Sequence, residues 1–424
     1  MMARPSRASD PKPARAGSSW SFPARFRARA FSWKGTALAT QRMKEAITEI
    51  KAVQRKDPFL AAAGAVRLIE RIVPAIEQID GSSGAIGTAV TRTVNALVDI
   101  IAAAPASATV RTAWLDRLWE AYNNDGYGYL DHLPDRWGDL CASPELANIW
   151  VDNLAPTLRL SFPERTRMPG GSAALSCLQA AGRHAEIVEI VALLQYEFWD
   201  YQRFAVQALI DLGRPEEALR YAESRNSPND GTGAAAACER ILRLLGRHEE
   251  AYRRYGLYAH RVSTHLATFR SLAKAYPEVA PPKLLADLVA STPGEEGKWF
   301  ATAKELELYD DAIALANRSP CDPKTLIRAA RDHEEAAPLF ALNAGLTALR
   351  WLRAGHGYDL VGNEPFLAFD HALRAADRAG EREQALRAMA SIVDPARGAT
   401  NWAGDALRRL HAGAPRVTNS PCEE

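Results

Sequence analysis

One short pattern recurs through the second half of this chain and limits what it can fold into. "AGRHAEIVEI" begins at Ala181, "LGRPEEALRYA" at Leu212, "LGRHEEAYRRY" at Leu245, "LELYDDAIAL" at Leu306 and "AGEREQALRAM" at Ala379. The turn positions read from these copies are Gly182, Gly213, Gly246, Leu308 and Gly380, separated by 31, 33, 62 and 72 residues. The two long gaps are near double the short ones, and "AYPEVAPPKLLADLV" near Pro277 and "ARDHEEAAPLFAL" near His333 fall where degenerate copies belong. A period of about 31 to 36 residues is that of stacked helix pairs. Each part of the unit has a physical task. Glycine reverses the chain between helices, and the acidic residues after it sit in a first helical turn, where they complement the positive end of the dipole. Ala218, Ala251, Ala312 and Ala385 leave room for a partner helix to approach.

The pattern resembles the tetratricopeptide repeat, specifically the turn and second helix of its "GxYEEAxxxY" core, with Ala251 and Tyr255 at the small and aromatic positions. The resemblance covers roughly residues 173 to 395 and lacks the Trp-Leu-Gly-Tyr signature of a first helix, and Leu308 stands where glycine is usual. It implies an all-α chain: an α-solenoid of helix pairs, tetratricopeptide-like, preceded by a smaller helical domain. "IDGSSGAIG", "NNDGYGYLDHL" and "TPGEEGKWF" also resemble a bacterial family of helical-repeat proteins of unassigned function, a resemblance that brings no catalytic residue with it.

Composition agrees with helices. Alanine and leucine dominate the apolar residues, and unbranched side chains lose little rotamer freedom in a helix. Five domains are expected: a disordered basic leader over 1–38, a helical domain over 39–160, a linker over 161–172, the repeats over 173–398, and a C-terminal helix and disordered tail over 399–424. The net charge of +1 is unevenly spread, since residues 1–44 hold ten Lys or Arg against Asp10 alone. Five widely spaced cysteines with no CxxC pair predict free thiols in a reducing compartment, and the cytoplasm is the expected location. An Arg-rich, acid-poor opening segment is also compatible with a transit peptide. No apolar run of the roughly 18 residues needed for a membrane span is read from the sequence.

Chemical motifs fail on inspection. "EQIDGSSGAIGTAV", residues 77–90, has glycines at 81, 84 and 87, but an amphipathic helix precedes it where a phosphate loop needs a strand, and the GK[ST] lysine is missing. It reads as a turn with Asp80, Ser82 and Ser83 as capping residues. "NNDGYGYLDHLPDRW" has Asp125 and Gly126 in sequence but lacks the spaced carboxylates of a calcium loop. "HEEAY" at His248 and "HEEAA" at His333 lack the second histidine of a zinc helix and read as solvent-facing helix starts. No cofactor and no metal are expected, and no catalytic residue is named.

Binding candidates come from three aromatic clusters at 127–137, 196–204 and 351–360. From these, Trp199, Tyr201, Arg203, Tyr127, His356 and Tyr358 are the candidates for contacting a protein or peptide partner. The first three should lie on a first helix, which lines the concave face in arrays of the tetratricopeptide kind. The expected function is a non-enzymatic scaffold or adaptor. Two other classes stay open: a nucleic-acid-associated protein using the Arg/aromatic leader, with Trp20, Phe22, Phe26, Phe31 and Trp33 as stacking rings, and an enzyme with a site assembled between helices around Asp125, His132 or His356.

Overall fold

A computed structural model describes residues 20–393 except 165–167, 169, 196–197, 226–231, 358–359 and 361. Among the described residues the chain is all-α, with consecutive helices packed on one another and no strand. It divides into two compact units, Met1–Ile241 and Leu242–Glu424.

In the first unit the helices are α1 (Thr36–Gln54), α2 (Pro58–Ile76), α3 (Ala85–Ala102), α4 (Ala108–Asn123), α5 (Trp137–Cys141), α6 (Pro144–Ser161), α7 (Gly171–Ala180), α8 (His184–Val191), α9 (Trp199–Asp211), α10 (Pro215–Glu223) and α11 (Gly233–Leu244), which carries the division. Side chains fix several starts. Asp57 accepts from Leu60 N at 2.9 Å, and Ser143 from Leu146 N at 3.2 Å, each satisfying an amide that the helix leaves free. The glycine-rich 81–87 segment is a helix-to-helix turn: Gly84 has φ +69°, and Asp80 accepts from Ser82 N at 2.9 Å. The core gathers the apolar faces of α1 to α9. Helix α3 is long and apolar enough by composition to cross a membrane, which the sequence reading did not anticipate. Its Ile86, Val90, Leu97, Val98 and Ile101 are buried in this core.

Two expectations about boundaries need correction. The leader is not a free tail from residue 20 onward, because Phe22, Phe26 and Phe31 are core residues and Trp20 lies over Gly64. Three phenylalanines carry more apolar surface than can profitably stay in water, each worth about 1.5–3 kcal/mol on burial. Residues 1–19 lie outside the described residues. The 161–172 stretch does not divide the compact units either: α6 and α7, which flank it, pack on each other, and Phe162 is fully buried.

The second unit contains α12 (His248–Ala251), α13 (Leu257–Ala259), α14 (His265–Ala275), α15 (Pro281–Ala290), α16 (Phe300–Glu305), α17 (Tyr309–Arg318), α18 (Pro323–Asp332), α19 (Pro338–Arg353), α20 (Glu364–Ala379) and α21 (Arg382–Val393). Between α12 and α13 the residues Tyr252–Gly256 wind as one π-helical turn. Its core is built by α14 to α21.

The recurring sequence unit becomes a recurring turn. Gly182, Gly213, Gly246 and Gly380 all sit at φ of +73° to +75°. In each case the next residue donates to the carbonyl five positions before it: Arg183 to Leu178, Arg214 to Leu209, Arg247 to Leu242 and Glu381 to Ala376, at 2.8–2.9 Å. This is a left-handed helix stop, which glycine adopts without steric cost. In the fifth copy the left-handed residue is Glu307, at φ +59°, with Leu308 donating to Ala303 O at 3.0 Å. The turn therefore lies one residue before the position read from sequence. Gly355 makes a sixth such stop, at φ +82° with His356 donating to Trp351 O. The arginine after three of the glycines pairs with the glutamate three residues on: Arg183 with Glu186, Arg214 with Glu217 and Arg247 with Glu250. Ala218, Ala251, Ala312 and Ala385 are all buried where the helices meet.

Candidate functional site

A cleft of about 820 Å³ opens between α18 and α20. Helix α18 is sharply two-faced. Leu326, Ile327, Ala329 and Ala330 are buried, while Lys324, Arg328 and Arg331, spaced four and three apart, form a cationic stripe along the cleft. Asp322 starts the helix by accepting from Thr325 N at 3.0 Å and from Thr325 Oγ1 at 2.8 Å. Arg328 donates to Lys324 O at 3.2 Å and to Thr325 Oγ1 at 3.1 Å, so its contacts are with neutral oxygens. Arg331 pairs with Asp332 at 2.7 Å.

From α20 the cleft receives Glu364, Leu367 and His371. Glu364 accepts from Gly362 N at 2.9 Å, and Lys324 Nζ lies 3.9 Å from its other oxygen. His371 is 7% exposed and Glu334, in the turn between α18 and α19, 9% exposed. Their Nδ1 and Oε1 atoms are 2.6 Å apart. Arg374 donates to both Glu334 oxygens, at 3.0 and 3.2 Å, and Arg378 to Oε2 at 3.0 Å. Burial works to raise the Glu334 pKa, but the hydrogen bonds from Arg374 and His371 outweigh it and hold the carboxyl below its ordinary value. Arg374 Nη2 is also 2.6 Å from His371 Nδ1. His371 thus lines the cleft with its Nδ1 edge turned to Glu334 and Arg374.

A second cleft of about 460 Å³ lies between α15 and α17. Leu285, Val289, Pro293, Leu308 and Leu315 make it apolar, and Glu296, Asp311 and Arg318 are its charged members.

The four sequence candidates of the first unit, Trp199, Tyr201, Arg203 and Tyr127, do not present one common face. Trp199 begins α9, half-buried, with Gly233 so close that an added Cβ would come within 2.3 Å of its Nε1. Tyr201 is a core residue, 4% exposed, which corrects its reading as a partner contact. Its ring packs on Phe162, and its hydroxyl donates to Met168 O and accepts from Met168 N, both at 3.1 Å. Two residues apart on a helix point to opposite sides, so Trp199 and Tyr201 cannot line one face. Arg203 is held by Asp135 Oδ1 at 2.6 Å and lies over Phe204. That pair joins the 196–204 and 127–137 clusters. Asp135 also raises the pKa of His132, 3.5 Å away, chiefly through their hydrogen bond. Tyr127 is 58% exposed and stacked on Tyr129, in a loop closed by Asp125, which accepts from Tyr127 N at 3.0 Å and Leu130 N at 2.6 Å. His356 is exposed after α19, edge-on to Trp351. Tyr358 lies outside the described residues.

The leader rings are not available for base stacking as a set: Phe22, Phe26 and Phe31 are buried, and Trp33 alone of the five is largely exposed, at 64%. "HEEAA" is likewise corrected. His333 ends α18, and Glu334 is turned inward to His371 instead of facing solvent. The signal for this network was present but faint, as His371, Arg374 and Arg378 at spacings of three and four on one helix face. Among the described residues no group of three His, Cys, Asp or Glu is placed to hold a metal ion. No family model and no curated protein matches this chain.

Proposed function

We propose that the chain is a scaffold or adaptor whose hairpins, within each unit, stack as a short α-solenoid of tetratricopeptide-like type and bind a protein or peptide partner. The carrying observation is the recurrence of one left-handed stop with the same hydrogen bond at Gly182, Gly213, Gly246, Glu307 and Gly380. Packing of alternate helices supports it: α7 on α9 in the first unit, and α14 on α16, α17 on α19 and α18 on α20 in the second. Stacked pairs of this kind offer extended surfaces without reactive groups. In this reading the α15–α17 and α18–α20 clefts are the partner-facing surface of the second unit, and the protein works in the cytoplasm, as its odd number of widely spaced cysteines suggests.

The test is photo-crosslinking in the native host, with a crosslinking amino acid placed at Arg328 or Ala286 and, as controls, at Lys51 or Thr112 of the first unit. One partner captured from the cleft positions and absent from the controls supports the reading. Uniformly non-specific capture from every position sinks it. A second reading, an enzyme with a site between helices, is favoured by one observation: a buried histidine fixed by Glu334 and lining a cleft. Turnover of a small molecule that Glu334→Gln and His371→Gln both slow would decide for it.

A further inference from the structure

We propose that Cys141 and Cys177 form a modification site, a thiol pair that a hydroperoxide converts reversibly into a disulfide tying α5 to α7. Their sulfurs lie 3.9 Å apart on residues 36 positions apart, and both side chains are buried. A close helix contact sets them there. Gly138 N donates to Ser176 Oγ at 2.9 Å, and a Cβ on Gly138 would come within 2.2 Å of Ser176 O, so α7 reaches α5 at a distance that glycine permits. Cys141 stands three residues after Gly138, on the same side of α5, and Cys177 directly follows Ser176. A disulfide needs about 2.05 Å between its sulfurs, and side-chain rotation that moves each one roughly 1 Å closes the gap.

Two further features bear on reactivity. Arg111 is 5% exposed and donates to the carbonyl of Leu140, the residue before Cys141, at 3.1 Å. Among the described residues its hydrogen bonds go to three carbonyl oxygens, and a cation beside a sulfur favours the thiolate. Next to Cys141, Ala142 lies at φ +53°, a region unfavourable for an L-residue, so the five-residue α5 ends under strain and is the partner able to shift. Cys141 is therefore the attacking thiol. Its thiolate attacks one peroxide oxygen and the O–O bond breaks, giving a sulfenic acid and hydroxide, which takes up the thiol proton as water. The Cys177 sulfur then attacks the sulfenic sulfur: the S–S bond forms, the S–O bond breaks, and the Cys177 proton leaves with the hydroxyl as a second water. The two sulfurs lose two electrons and the peroxide gains them. A thiol reductant reverses the change by exchange. Hydrogen peroxide is close to water in size and reaches the pair through packing fluctuations too small to admit iodoacetamide.

Peptide mapping of the full-length chain after millimolar hydrogen peroxide, with catalase quenching and alkylation in denaturant, tests this. The expected result is a Cys141 peptide joined to a Cys177 peptide, in a chain lighter by two hydrogens, both reversed by dithiothreitol. The cross-link should raise the melting temperature of the first unit by about 5 °C or more, because it restricts the unfolded chain. Cys177→Ala should leave a Cys141 sulfenic acid that dimedone traps, Cys141→Ala should leave Cys177 unlabelled by dimedone, and Cys321→Ala should leave the cross-link intact. Both thiols alkylated as in untreated protein, or Cys141 carried to sulfinic acid with no cross-link, overturns the proposal. These two readings come from the wild-type chain, so they hold even where a variant fails to fold. The site does not rest on the scaffold reading, because a crosslinked partner together with peroxide-inert thiols would remove this site and leave that reading in place.

Discussion

At the scale of single residues, Arg111 shows how a charge is accommodated inside an apolar core. Burial lowers its pKa, yet the guanidinium donates to Ile101 O and Leu140 O at 3.1 Å and to Ala104 O at 2.5 Å. These are carbonyls at the C-terminal ends of α3 and α5, where the helix dipoles favour a cation. Arg111→Met leaves buried acceptors unpaired, so it should cost about 3 kcal/mol, read as a lower midpoint in urea denaturation. Glu334 makes a pH-dependent contribution. Its folded pKa is depressed below the ordinary 4.5, so its stabilisation is fully present above that pH and is lost as the pH falls through the folded value. Glu334→Gln should therefore lower Tm at pH 7, and the gap from wild type should close as the pH drops beneath about 4.5. Cys141 and Cys177 lie 3.9 Å apart and are buried, and their mutual contact, with burial, raises the Cys177 thiol pKa. Thiolate is the reactive form. Iodoacetamide should label neither in the native protein and both in denaturant, read by mass spectrometry.

Among elements, the hairpin turns permit the most direct comparison, because five copies share one geometry and only one lacks glycine. Glu307 is exposed and at φ +59°, a region that costs an L-residue roughly 1–2 kcal/mol. Glu307→Gly should stabilise the chain by about 1 kcal/mol, and Gly213→Ala should destabilise it by a similar amount. Opposite shifts in thermal melting would check both, and a null effect at Gly213 would undo the claim that the turn needs that conformation. Helix α18 illustrates a second property of elements. Its amphipathic pattern is legible in sequence, but the cleft it borders exists only because α20 lies alongside.

For the whole molecule, two units with their own cores make a local prediction possible. Phe26 sits in the first core, and Phe26→Ala should cost about 3–5 kcal/mol there. Hydrogen exchange should then quicken in α2, which packs against the 22–24 segment, while protection in α18 and α19 stays as in wild type. Loss of protection in both units together would mean that the chain unfolds as one cooperative body.

The repeat itself determined the helical hairpins, since glycine, the following arginine, the acidic first turn and the buried alanine all act within about ten residues of one another. Local chemistry of that reach is written in the sequence and was read there, with an error of one residue at Glu307. What the tertiary structure alone decided was which side chains face inward. Tyr201 looked like a surface aromatic until Met168 and Phe162 closed over it, the leader phenylalanines entered a core, and Glu334 met His371, 37 positions away. Burial depends on what a neighbouring helix brings to the same place, and that pairing is settled by stacking across dozens of residues.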